Sequence, residues 1–177
     1  SVECTTKLLG EHNALNILGC AAIAYELGLS LEEIKNGISK IEPIPHRLEL
    51  MVNANGSTVL DDSFNSNPNG TKVALKVLSG FSGTKIIITP GMVELGDEEY
   101  ALNKEFGENI ALVADIAILV GKNRTKAIQE GLKAAGFNEK NMYVVSTLNE
   151  ATTALGTVIK PGDTVLFEND LPDNYNE

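Results

Sequence analysis

From about residue 46 onward, short β-rich apolar runs alternate with segments of helical periodicity. This alternation constrains the fold most, because it is typical of a mostly parallel sheet covered by helices. Strands are predicted at 48–52, 58–61, 85–89, 116–120, 143–145 and 164–167. Helices are predicted near 68–78, 100–113, 125–135 and 148–159. The sequence therefore predicts an α/β domain.

The first two strands flank Asn55-Gly56, a pair that favours the positive φ angles of a tight hairpin turn. We therefore expect the sheet to begin with an antiparallel hairpin and to continue with parallel strands.

Residues 10–41 have a different pattern, with helical periodicity over 13–27 and 31–41. Gly28 can end the first helix, and Ser30 can cap the second with Glu33 in the capping-box position. Two helices without a sheet of their own make an incomplete domain. We expect them to be the end of a truncated domain.

The chain after these helices contains Pro43 and Pro45, which cannot continue a helix and favour an extended connection. A boundary is predicted here, between residues 1–45 and residues 46–177.

Charge and hydropathy exclude two kinds of partner. The chain has 14 Lys+Arg and 24 Asp+Glu, a net charge of −10, whereas nucleic-acid binders depend on basic residues. The longest weakly polar run, 14–25, is shorter than the ~20 apolar residues of a membrane helix. We predict neither nucleic-acid binding nor membrane insertion.

The densest polar cluster, DDSFNSNP at 61–68, lies where a strand ends and a helix begins. Ligands of open α/β sheets bind at the carboxyl ends of strands, and a carboxylate there can accept hydrogen bonds from ribose hydroxyls. The alternative is structural, because Asn67 followed by Pro68 is also a good helix start.

A second candidate is the helix start HNALN at 12–16. Asn13 and Asn16 share a helix face, from which two amides could contact adenine. Helix capping is the alternative for Asn13. Asn16 interrupts an apolar face, where an amide costs burial energy unless it finds a partner.

Two further segments are weaker candidates. Arg47 follows the proline-containing linker and could bind a phosphate, or could form a surface salt bridge. The loop at 89–96 contains two glycines that would let its backbone approach a ligand, although an ordinary loop fits equally. Neither GxGxxG nor GxxxxGK[ST] occurs in the 177 residues, so no P-loop is present.

In this order, the four clusters resemble the Mur ligases, the ATP-dependent amino-acid and peptide ligases of peptidoglycan synthesis. DDSFNSNP resembles the DDSYNANP motif, GMVELG at 91–96 resembles GDMLELG, and GEHNALN at 10–16 resembles GxHNxxN. The ending LFENDLPDNYNE resembles a terminal extension of some members. The resemblance covers essentially the whole chain.

The resemblance implies that residues 1–45 are the last helices of a central ATPase domain and that residues 46–177 are a Rossmann-like C-terminal domain. The implied cytoplasmic reaction joins D-alanyl-D-alanine to a UDP-N-acetylmuramoyl-peptide through an acyl phosphate. ATP and Mg²⁺ would be bound largely by the missing part of the ATPase domain. We therefore expect this chain alone to be inactive.

The resemblance also implies roles for individual residues. The adenine, phosphate and ribose of ATP would contact Asn13, Asn16, Arg47 and Asp62. The incoming dipeptide would lie near Ser63, Phe64, Asn65 and Asn67. The chain itself would provide no catalytic residue and no metal ligand.

Two alternatives follow from departures from the motifs. Pro45-His46-Arg47 is closer to the family member that adds D-glutamate, and Thr89-Pro90-Gly91 replaces an acidic pair, so the acceptor could differ. The chain could also be a non-catalytic α/β domain that binds a nucleotide or a protein.

Overall fold

A computed structural model describes residues 1–170 of the chain. Its strands are β1 Glu49–Val52, β2 Thr58–Asp62, β3 Lys85–Thr89, β4 Ile116–Val120, β5 Met142–Val145 and β6 Thr164–Glu168. Its α-helices are α1 Glu11–Glu26, α2 Leu31–Ile38, α3 Pro68–Ser79, α4 Glu99–Ala111, α5 Lys126–Ala134 and α6 Leu148–Val158. All the predicted strands and helices are confirmed. The largest difference in length is at α2, which ends at Ile38 and not at residue 41.

The six strands form one sheet in the order β1-β2-β6-β3-β4-β5. β1 pairs with β2 in antiparallel fashion, and all the other pairings are parallel. The predicted α/β fold with an initial hairpin is therefore confirmed. The tight turn is not, because residues 53–57 form a wider loop in which Gly56, but not Asn55, has a positive φ.

The two faces of the sheet are covered unequally. One face, which includes Leu60 and Leu166, packs against α3, α4 and α5 through side chains such as Leu75, Phe106 and Ile128. The other face, which includes Val59, Ile88 and Val165, packs against α6. Sheet residues near the carboxyl end are thus less completely covered on the α6 face.

Glycines allow α4 and α5 to pass close to each other. A Cβ atom at Gly107 would lie 2.2 Å from the carbonyl oxygen of Ile128, and one at Gly131 would lie 2.0 Å from that of Lys104. Real Cβ atoms do not approach carbonyl oxygens this closely, so the contact requires both glycines.

The first two helices pack differently from the others. The predicted capping box at the start of α2 is confirmed, with Ser30 and Glu33 bonded to each other's backbone N–H. α1 buries none of its residues, and Leu15 on it is 70% exposed. Asn16, which interrupts this apolar face, is itself exposed in the described part of the chain. Within residues 1–170, no helix has the length and apolar character to cross a membrane.

Candidate functional site

Two clefts lie beside the loop formed by residues 63–67, at the carboxyl ends of the strands. The smaller cleft, of about 540 Å³, lies between the start of α1, the 41–48 linker and the start of α3. The larger cleft, of about 920 Å³, lies over the α6 face of the sheet. The carboxyl edge is where open α/β sheets bind ligands, so both clefts are candidate sites.

The smaller cleft brings together predicted residues that are distant in the sequence. Its lining includes Asn13 from α1, Arg47 from the linker and Asp62 from the end of β2. Asn65 and Asn67 complete the wall beside α3. The larger cleft contains the other two residues predicted to lie near the dipeptide, Ser63 and Phe64.

The two asparagines of α1 are hydrogen-bonded to each other, as their shared face predicts. Asn16 Nδ2 donates to Asn13 Oδ1 at 3.4 Å, and Asn13 Nδ2 donates to the carbonyl of Leu9 at 2.8 Å. Gly10, and not Asn13, is the N-cap of α1, so the capping alternative for Asn13 is wrong. Asn16 is not part of the lining of the smaller cleft.

Asp62 is fixed by the linker that precedes β1. The backbone N–H of Leu48 donates to Asp62 Oδ1 at 3.0 Å, and Leu48 adopts a left-handed φ of 51° to do so. Burial raises the pKa of Asp62, although this hydrogen bond and the positive charges of Arg47 and His12 oppose the shift. A partly buried carboxylate thus faces the smaller cleft.

Arg47 and Phe64 form the ridge between the two clefts. The guanidinium carbon of Arg47 lies 4.1 Å from the centre of the Phe64 ring, in a cation–π contact. The Phe64 residue is 64% exposed. The stacking holds Arg47 beside Asp62, where its planar donors face the smaller cleft.

The remaining polar residues of the loop form local hydrogen bonds. Asn67 Oδ1 accepts from the N–H groups of Asn69 and Gly70, at 3.1 and 2.9 Å, so the helix-capping interpretation of Asn67 is confirmed. Asn65 Oδ1 accepts from the N–H of Ser66 at 2.8 Å. These side chains shape the start of α3, and their role in substrate binding stays a prediction.

The larger cleft contains a polar cluster, of which sequence reasoning assigned only Ser63 to a site. Asp61 accepts hydrogen bonds from Ser63 Oγ at 2.6 Å and from His46 Nδ1 at 2.8 Å. Burial would raise the pKa of Asp61, but these hydrogen bonds outweigh it, and the pKa lies below its ordinary value. Asp61 and Ser63 both approach the same ring nitrogen of His46, so this is not a serine–histidine–aspartate relay.

Other walls of the larger cleft come from the loops after β4 and β5. They include Gly121, Arg124 and the start of α6 at 146–149, while Phe167 and Ile88 of the sheet form an apolar floor. Sequence reasoning assigned no site to the segment at 121–124, which does not match a P-loop motif. Its position directly after a strand was the signal that it could line a site.

The glycine-containing loop after β3 is mainly structural. Met92 is 1% exposed, and Asn103 binds both its N–H and its carbonyl at 2.9 Å. A Cβ atom at Gly91 would lie 2.8 Å from Asn103 Oδ1. The ordinary-loop interpretation explains Gly91, although Pro90 lines the larger cleft.

A buried acid, also missed by sequence reasoning, lies at the end of β6. Glu168 is 1% exposed and is the register partner of Asp62 in the parallel β2–β6 pair. Ser66 Oγ donates to Glu168 Oε1 at 2.7 Å, whereas Oε2 is buried and has no partner among residues 1–170. Burial and the negative charge of Asp62 raise the pKa of Glu168 to about 8. The sequence signal that could have identified Glu168 was the presence of an acid directly after the apolar run 164–167.

No group of three or more metal-ligating side chains that could hold a metal ion occurs in the described part of the chain. The last residues of the predicted terminal extension, 171–177, lie outside the described residues.

A family model described as Mur ligase, glutamate ligase domain, matches residues 46–168. The UDP-N-acetylmuramoyl-tripeptide–D-alanyl-D-alanine ligase of Haemophilus influenzae is 31% identical over 144 residues, which cover 81% of this chain and 31% of that protein. The UDP-N-acetylmuramoylalanine–D-glutamate ligase of Caldanaerobacter subterraneus is 27% identical over 158 residues, covering 89% and 33%. The chain thus spans about a third of the length of these relatives.

Solved structures have the same fold. A crystal structure of MurF from Acinetobacter baumannii aligns with a TM-score of 0.81 at 26% identity, covering 94% of this chain and 36% of that one. The MurF ligase of Thermotoga maritima in complex with ADP aligns with a TM-score of 0.77 at 22% identity, covering 92% and 35%.

Proposed function

Because the chain belongs to the Mur ligase family, we propose that it carries the C-terminal domain of an ATP-dependent ligase of peptidoglycan synthesis. The reaction would join D-alanyl-D-alanine to a UDP-N-acetylmuramoyl-peptide in the cytoplasm. The observation that carries this proposal is the convergence of Asn13, Arg47 and Asp62 on one cleft. The names of several relatives support the acceptor.

We also propose that residues 1–45 are the end of a central ATPase domain. The family model begins at residue 46, and the relatives are about three times as long as this chain. The exposed apolar side chains of α1, such as Leu15 and Leu18, suit a helix that packs against further structure. The P-loop would then belong to that domain.

The smaller cleft would bind the nucleotide. The Asn13 and Asn16 amides can donate and accept at an adenine edge, the Asp62 carboxylate can accept from ribose hydroxyls, and Arg47 can pair with a phosphate. Bound Mg²⁺ would neutralise the transferring phosphoryl group. That ion would be held largely by the missing part of the ATPase domain. This chain's residues would therefore orient ATP rather than catalyse the chemical step.

The acceptor would lie in the larger cleft, beside Ser63 and Phe64. An apolar floor of Ile88 and Phe167 next to polar walls suits a short peptide with small side chains. Because the chain is also similar to a D-glutamate ligase, the test includes D-glutamate as a second acceptor.

The function can be tested with the longer protein encoded by the gene. Its upstream sequence should contain a GxxxxGK[ST] loop, and phosphate release should require UDP-N-acetylmuramoyl-tripeptide and D-alanyl-D-alanine. Activity with D-glutamate and UDP-N-acetylmuramoylalanine instead would reassign the acceptor. Saturable ATP binding by the 177-residue chain alone, without any P-loop upstream, would favour a non-catalytic binding domain.

The nucleotide site has its own test in that protein. Asp62→Ala and Asn16→Ala should each raise the KM for ATP by the equivalent of one or two hydrogen bonds, ~1–3 kcal/mol. Glu108→Ala, which removes an exposed carboxylate on α4, is the control and should leave the KM unchanged. Unchanged ATP kinetics in both Asp62→Ala and Asn16→Ala would refute the site.

A further inference from the structure

The end of β6 connects several loops at the carboxyl edge of the sheet. Glu168 accepts from Ser66 in the loop 63–67, and the next residue, Asn169, donates its backbone N–H to the carbonyl of Asp62 at 3.2 Å. The Asn169 side chain donates to the carbonyl of Gly91 at 2.7 Å. Glu168 and Asn169 thus contact the loop 63–67, the loop after β3 and the end of β2.

We propose that Glu168 is a positioning residue of the smaller cleft, which anchors the loop 63–67 next to Asp62 through Ser66. The proposal concerns the shape of the cleft before any ligand binds. Its link to ATP rests on the proposed function, whereas its structural part does not.

The hydrogen bond between Ser66 and Glu168 is the buried anchor of the loop. Both residues are buried, and they are 102 positions apart in the chain. The other hydrogen bonds described for the loop are local, as for Ser63 and Asn65, or join its exposed part to His46. Those to His46 run from the Phe64 N–H to the His46 carbonyl at 3.2 Å and between Ser63 Oγ and His46 Nδ1 at 3.5 Å. Loss of the buried bond should therefore loosen the loop more than loss of any local one.

We expect the loop 63–67 to be held most firmly when the Glu168 carboxyl is uncharged. A buried carboxylate with one unpartnered oxygen is costly to ionise, and Asp62 places a second negative charge beside it. The charges of Arg47 and His12 act on Asp62 from the linker and from α1. Because the pKa of Glu168 is about 8, the acid is protonated at neutral pH and ionises just above it. Ionisation should then weaken the packing of the loop.

The test uses the 177-residue chain without nucleotide. Carbon-13 NMR of the Glu168 carboxyl should follow its titration, and amide hydrogen exchange should report protection of residues 63–67. Between pH 7 and pH 9, the protection, corrected for intrinsic exchange, should fall roughly tenfold in the wild type, because pH 7 lies about one unit below the pKa and the linked loss levels off above the pKa.

Three variants separate anchoring from general stability. Glu168→Gln keeps an acceptor for Ser66 without the charge, so loop protection should stay high at both pH values. Ser66→Ala should reduce protection in the loop at both pH values and leave that of β3 and β4 unchanged. Glu108→Gln, at an exposed position on α4, is the control and should keep the wild-type pH profile.

The pH dependence of the anchor is refuted if the Glu168 carboxyl titrates near its ordinary value. The anchor itself is overturned if the loop exchanges equally in the wild type and Ser66→Ala. In the longer protein, the KM for ATP should rise above pH 8 in the wild type but not in Glu168→Gln. A complete absence of ligase activity would refute the proposed function. The hydrogen-exchange result would still decide whether Glu168 anchors the loop.

Discussion

A buried acid lies at each end of β6, and the two acids differ in how their oxygens are hydrogen-bonded. At the amino end, both oxygens of Asp163 accept backbone hydrogen bonds, from Thr84 at 3.0 Å and from Lys160 at 2.8 Å. At the carboxyl end, Glu168 has one hydrogen-bond partner within the described part of the chain, and its other buried oxygen has none there. The same strand therefore begins with a satisfied carboxylate and ends with an unsatisfied one.

The pKa shifts follow from this difference. Burial would raise the pKa of Asp163, but the backbone N–H donors outweigh it, and the pKa is lowered. Burial and the charge of Asp62 raise the pKa of Glu168 to about 8, and Ser66 opposes the shift only in part. The ionised Asp163 at the amino edge thus stabilises the fold. Glu168, which lies beside the clefts at the carboxyl edge, destabilises the fold when it is ionised.

The largest effect is expected at Asp163. Asp163→Ala leaves the N–H groups of Thr84 and Lys160 without their acceptor, which should reduce the free energy of unfolding at pH 7 by about 4 kcal/mol. Because the folded pKa is lowered, the stabilisation from ionised Asp163 is lost as pH falls. Urea unfolding at pH 7 and pH 3 measures both effects, with Asp163→Asn as an intermediate control. Equal losses at the two pH values would contradict the role of the charge.

Glu168→Gln should have the opposite effect. A raised folded pKa means that the contribution of Glu168 is fully present below about pH 4.5 and is lost as pH rises through about 8. The glutamine variant lacks this loss, so at pH 9 it should be about 3 kcal/mol more stable than the wild type, allowing for relaxation of the loop. Urea unfolding from pH 5 to pH 9 measures the difference. A variant less stable than the wild type at pH 9 would show that Glu168 is not destabilising when ionised.

The sequence predicts the sheet better than the clefts, for physical reasons. Strands such as β3 and β4 are short apolar runs rich in β-branched residues, so their length and composition identify them locally. The pairing of Asp62 with Glu168 depends on β6 inserting between β2 and β3, which no local pattern encodes. The surroundings of Asn16 cannot be predicted locally either, because the burial of α1 depends on its packing partners and not on its own residues.

A further prediction tests whether Asn67, at the carboxyl edge, has a structural role or is free to bind a ligand. Asn67→Ala removes the acceptor for two N–H groups at the start of α3 and should cost about 1 kcal/mol of stability. Asn67→Asp keeps the cap and is the matched control. Thermal and urea unfolding of the three proteins measure the loss. An alanine variant as stable as the wild type would mean that Asn67 is free for a ligand-binding role.

The smallest effect is expected for the contact between Arg47 and Phe64, which lies on the ridge between the clefts and is exposed to solvent. A double-mutant cycle of Arg47→Ala and Phe64→Ala, measured by urea unfolding, should give a coupling of about 0.5 kcal/mol, because water screens an exposed cation–π contact. Asp163 should remain far more sensitive to substitution, since its partners are backbone groups at a buried strand end. A coupling above about 2 kcal/mol would mean that the ridge is desolvated. In that case the carboxyl edge would stabilise the fold as strongly as the amino edge, and the contrast between the two ends of β6 would be confined to Glu168.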